Sequence, residues 1–69
     1  MNVGDLVRTL TDPSQIIYLI IEEERGSPAS GPYRNKNISV YTCIVAQPGL
    51  SAASWKYWDY QLEVVHEGG

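Results

Sequence analysis

Short runs of Val, Ile, Leu, Tyr and Trp alternate along the chain with clusters of Gly, Pro, Asn, Asp and Ser. Runs of this length, broken by turn formers, predict strands rather than helices. Five are expected. The first covers Asp5 to Thr11, entered through a turn at Val3-Gly4-Asp5 and closed by the turn dipeptide Asp12-Pro13. The second covers Gln15 to Glu23 and contains "IIYLII", six apolar residues in succession, as in a strand covered on both faces. Its isoleucines, and the Pro just upstream, favour a strand over a buried helix. The third, Ile38 to Ala46, places Ile38, Val40, Thr42, Ile44 and Ala46 on one face and Ser39, Tyr41, Cys43 and Val45 on the other. The fourth is Ser54 to Trp58 and the last Leu62 to Val65, separated at Asp59-Tyr60-Gln61 by a single 3₁₀ turn that Asp59 is placed to cap.

Between the second and third strands, "RGSPASGPYRNKN" (Arg25 to Asn37) is a thirteen-residue loop without periodicity. It is not a phosphate cradle, because no Gly-Lys-Ser/Thr helix start follows it. Pro48-Gly49 marks another turn, "LSAAS" after it has room for one short helical turn, and the tail "HEGG" is expected to fray. No linker or repeat divides residues 1–69, so one all-β domain is expected, a small five-stranded barrel.

Size sharpens this picture. A chain of 69 residues buries only about 60% of its unfolded surface and needs support. An internal disulfide is excluded because Cys43 is the sole cysteine, and Cys43 with His66 is too few ligands for a metal site. Neither a metal nor a cofactor is expected. Good packing or a partner remains, and self-association is a live expectation.

The net charge of −3 comes from eight acidic and five basic residues, the basic ones scattered. Nucleic-acid binding, which runs on phosphate neutralisation, is disfavoured. Glu22-Glu23-Glu24 reads as a solvated strand end rather than a catalytic pair. No segment is long and apolar enough for a membrane span, and "MNVGDLVRTL" has no leader pattern, so a reducing cytoplasm is expected.

The aromatics carry the candidate binding chemistry. "ASWKYWDYQLEVV" (Ala53 to Val65) holds both tryptophans and two of the five tyrosines. On a regular strand Trp55 and Tyr57 face one way, Lys56 and Trp58 the other, so one tryptophan is expected in the core and one at the surface. Trp55, Lys56, Tyr57 and Trp58, joined by Tyr33 and Tyr41, form the candidate exposed aromatic and basic patch. With Arg34 and Lys36 the same strip is the alternative site for a nucleic acid. Cys43 reads as a buried small hydrophobe. His66, with Glu63 in the same strand, is the one conceivable acid–base pair, and a solvated terminal histidine outweighs it. No enzyme is expected.

Two short motifs add a resemblance. "VGDLVR" (Val3 to Arg8) resembles the opening of SH3-like small barrels, and "YWDYQLEVV" (Tyr57 to Val65) their close, an aromatic strand, a 3₁₀ turn and a last strand. "IIYLIIEEE" and "VYTCIVA" sit where such proteins place their second and third strands. The layout is similar to that of small uncharacterised phage proteins with an SH3-like barrel. It implies that fold and no established activity; a phage accessory or virion-associated role, in the host cytoplasm or the virion, is expected beside it. The signalling SH3 strings "ALYDY" and "PxNYV" are absent. The function expected is a non-enzymatic protein-interaction or assembly module with a protein partner or a second copy.

Overall fold

The computed structural model describes residues 1–11, 16–46 and 53–68. The expected turns at Asp12-Pro13 and Pro48-Gly49, and the short helical turn in "LSAAS", lie outside these residues, apart from Ala53 and Ser54 at its margin. The described chain is all-β: β1 (Leu6–Thr9), β2 (Tyr18–Gly26), β3 (Ile38–Val45), β4 (Ser54–Trp58), a 3₁₀ turn (Asp59–Gln61) and β5 (Leu62–His66). All pairings are antiparallel, in one sheet ordered β4-β3-β2-β1-β5.

The two edge strands, β4 and β5, are joined by the three-residue 3₁₀ turn. In a flat sheet they would lie roughly 19 Å apart, four steps of about 4.8 Å. The chain from Trp58 to Leu62 reaches only about 14 Å at full stretch. The sheet must curl until its edges approach, yet β4 and β5 are not hydrogen-bonded to each other, so it stays open. Val7, Tyr18, Ile20, Tyr41, Cys43 and Leu62 fill the inner face, with Met1, Ile16, Val45 and Tyr57 packed around them.

Boundaries differ from the expected ones for physical reasons. β1 ends at Thr9 because the N–H of Leu10 turns to the Gln61 carbonyl (2.9 Å), tying β1 to the 3₁₀ turn. β2 starts later, at Tyr18, and runs to Gly26, since the glutamates pair along β3 as well as the isoleucines do. A bulge at Ile21 sits between the pairs Ile20–Cys43 and Glu22–Thr42. Beyond it Glu23 shares the inner side with Tyr41, while Glu22 and Glu24 share the outer side with Thr42 and Val40.

The tail is held rather than frayed. His66 pairs with Leu6 at the end of β5, and the Gly68 N–H donates to Asp5 Oδ1 (3.2 Å). Asp5, only 2% exposed, also accepts the Asn2 N–H at Oδ2 (2.8 Å), and its carbonyl accepts the Ile20 N–H (3.1 Å). Gly4 has φ 97°, the left-handed backbone that glycine tolerates best. A Cβ at Gly68 would stand 2.5 Å from the Gly4 carbonyl oxygen, so the tail passes too close for any side chain.

Two outcomes are expected. Asp5→Ala strands two backbone donors and destabilises the fold by about 1–3 kcal/mol in urea unfolding. Thr42 Oγ1 is buried without a hydrogen-bond partner among the described residues, so Thr42→Val stabilises by about 1 kcal/mol in the same measurement.

Candidate functional site

The register of β4 against β3 decides where the aromatic segment goes. Tyr57 lies opposite Tyr41 and Trp55 opposite Cys43, on the inner side. Trp58 lies opposite Val40 and Lys56 opposite Thr42, on the outer side. The expected split of the two tryptophans is present, but neither is fully buried.

Trp55 faces the core side at the very edge of the sheet and keeps 39% of its surface exposed. Its ring meets Tyr18 edge-on, with centroids 5.9 Å apart at 79°. Tyr57, half-buried, meets the same Tyr18 at 5.5 Å and 60°, and the two hydroxyls are 3.5 Å apart. Edge-to-face pairs at these spacings add about 0.5–1.5 kcal/mol beyond burial. Trp58, also half-buried, lies over Gly26: a Cβ there would be 3.3 Å from its ring. The absence of a side chain at position 26 makes that seat.

The remaining candidates separate from this edge. Tyr41 does not belong to an exposed patch, because it is only 4% exposed in the core. Its hydroxyl donates to the Met1 carbonyl (3.1 Å), with Glu23 Oε2 at 3.5 Å, and Ser39 Oγ donates to the same Oε2 (2.8 Å). Burial, and the nearby Glu23 and Asp59 carboxylates, push the Tyr41 phenol above its ordinary pKa. Tyr33, on the loop, stacks on Tyr60 with centroids 4.6 Å apart at 16°. This stack joins the long loop to the 3₁₀ turn.

Lys56 reaches across the outer face to Glu24 Oε1 (2.7 Å), which raises the ammonium pKa; Glu22 acts in the same direction. Its charge is therefore matched by acidic neighbours instead of joining Arg34 and Lys36 in a basic strip. The 3₁₀ turn is closed by Gln61, whose Oε1 accepts the Trp58 N–H (2.8 Å), and not from Asp59 as expected.

Tyr18, which holds Trp55 and Tyr57, and Tyr60, which holds Tyr33, are the aromatic partners of the candidate residues that the sequence did not single out. Tyr18 lay hidden inside an apolar run, and Tyr60 in a turn. Their partners are distant in the chain, so spacing carried no signal.

Among the catalytic candidates, Cys43 is fully buried, and loss of hydration pushes its thiol from 9.0 to about 11. A thiol held protonated at neutral pH is a poor nucleophile. Glu63 is engaged by the Arg8 guanidinium, and His66 is exposed. Among the described residues no cluster of three or more His, Cys, Asp or Glu is arranged to hold a metal, and no helix is long and apolar enough to cross a membrane. No family model, curated protein or solved structure matches the chain.

Because the folded pKa of Cys43 is raised, the stability tied to its neutral thiol is intact below about pH 9 and is lost as pH rises through about 11. Tyr41 acts in the same sense. The expected outcome is a fall in thermal midpoint above pH 9 that is smaller in Cys43→Val, and native-state resistance of Cys43 to thiol reagents at pH 8 that urea abolishes.

Proposed function

We propose that this protein is a non-enzymatic interaction module built as an SH3-like small barrel, and that it binds protein through the open β4 edge with Trp55 as anchor. The observation that carries this reading is a tryptophan 39% exposed on an edge strand, already fixed by Tyr18 and so presented without much ordering cost. The barrel type is supported by the strand order, by the 3₁₀ turn joining β4 to β5, and by the Gly4-Asp5 turn leading into β1. The resemblance to small phage proteins adds an accessory or virion-associated setting. The non-enzymatic reading is supported by the protonated, buried thiol and by the engagement of Glu63 with Arg8.

The test is affinity capture with the immobilised protein, beside light scattering of the protein alone. Capture of a protein, either another chain or a second copy, that weakens by about 30-fold in Trp55→Ala is the expected result, as for an interface anchor worth about 2 kcal/mol. A strict monomer that captures nothing, or capture indifferent to Trp55→Ala, overturns it.

A further inference from the structure

The free edge of β4 has a definite pattern of donors and acceptors. The Ala46 N–H donates to the Ile17 carbonyl (2.9 Å), so along β3 the even-numbered N–H groups face β2 and the odd-numbered ones face β4. Cys43–Trp55 and Tyr41–Tyr57 are then the pairs that exchange bonds between β3 and β4. The Trp58 N–H, which leaves the ladder for Gln61, agrees with this phase. The N–H and C=O groups of Ser54 and Lys56 therefore point away from β3, toward a side on which no described strand is hydrogen-bonded to β4. Trp58, next in the same phase, is already closed by Gln61.

Resting on the reading of β4 as a binding edge, we infer that its occupant is a second copy of this chain, paired antiparallel strand to strand about a two-fold axis at Trp55. In this register Ser54 of each copy lies opposite Lys56 of the other, and each such pair exchanges both of its N–H···O=C bonds. Trp55 falls opposite Trp55 of the second copy at a non-hydrogen-bonded position, where Cα atoms are about 4.5 Å apart and side chains are closest. The exposed ring is covered by its own counterpart.

The neighbouring registers are worse. Moving the axis to Lys56 sets two ammonium groups directly opposite, which is destabilising. Moving it to Ser54 leaves each Trp55 facing Ala53 and loses the aromatic pair. In the favoured register Lys56 faces a small hydroxyl, and its charge stays on Glu24 of its own chain. The interface is isologous, so it closes at two copies. A small core with no disulfide also gains most from a partner.

Sedimentation equilibrium from about 10 μM to about 1 mM, the range of a weak edge-to-edge dimer, tests this. The wild type is expected to rise from 7.7 kDa toward twice that mass, with an exciton-coupled tryptophan doublet in circular dichroism that grows with dimer fraction. Lys56→Pro removes an outward N–H without touching the bonds to β3, as proline on an edge strand permits, and is expected to stay at 7.7 kDa, with a melting curve that matches the wild type at about 10 μM, where both are monomers, and lies below it at about 1 mM. Lys56→Ala keeps the donor and is expected to dimerise within a few-fold of wild type. Should Lys56→Pro fail to fold, Trp55→Cys in a Cys43→Val background, which removes the thiol opposite position 55 in the same chain, gives the answer: copies aligned at position 55 cross-link under oxidation, and absence of a cross-linked dimer refutes the register. A wild type that stays at 7.7 kDa at about 1 mM, or a dimer untouched by Lys56→Pro, overturns the inference. A monomer that still captures another protein through Trp55 overturns self-pairing alone and leaves the interaction-module reading standing.

Discussion

Three residues, Asp59–Gln61, connect strands that lie at opposite ends of the sheet order. That short tether forces the sheet to roll, and rolling creates an inside. Val7, Ile20 and Cys43 become fully enclosed although each belongs to a different strand. The same tether stops short of pairing the two edges, so the molecule gains a core and keeps an unsatisfied rim. Interior and open edge come from one constraint.

The chain ends reinforce the roll. The Asp5 carboxylate receives N–H groups from Asn2 and Gly68, so one buried acceptor gathers the first turn and the last strand's exit. The inner side is not uniformly apolar. Past the bulge, Glu23, Ser39 and Tyr41 form a small hydrogen-bonded group that reaches the Met1 carbonyl. The buried Ser39 and Tyr41 hydroxyls are tolerated there because each has a partner, and the Glu23 carboxylate beside them stays open to water. Thr42, on the opposite side, has no partner for its Oγ1 among the described residues.

Strand identity was legible in the sequence because β-branched and aromatic runs stood between turn formers. All five strands and the 3₁₀ turn were foreseen, with β4 placed to the residue. The opposite facing of Trp55 and Trp58 followed from simple alternation. What alternation cannot supply is lateral position. Trp55 is on the inner side yet exposed because β4 is an edge, and Tyr41 is buried because β3 has neighbours on both flanks. The fate of Lys56 depended on Glu24, which lies two strands away across the sheet. The tail looked disordered because Gly68 reads as a flexible residue, whereas it is glycine by necessity of its approach to Gly4.

Ile21 acts as a half-period spacer. With it in place, the odd member of the glutamate triplet turns inward, where Ser39 and Tyr41 receive it, and the even members turn outward, where Lys56 neutralises one of them. Excising that one isoleucine would leave the strand's length nearly intact but reverse the facing of the rest of β2. Two carboxylates would then be driven toward the interior and one cast out. A single extra residue thus sets which way the second half of β2 faces.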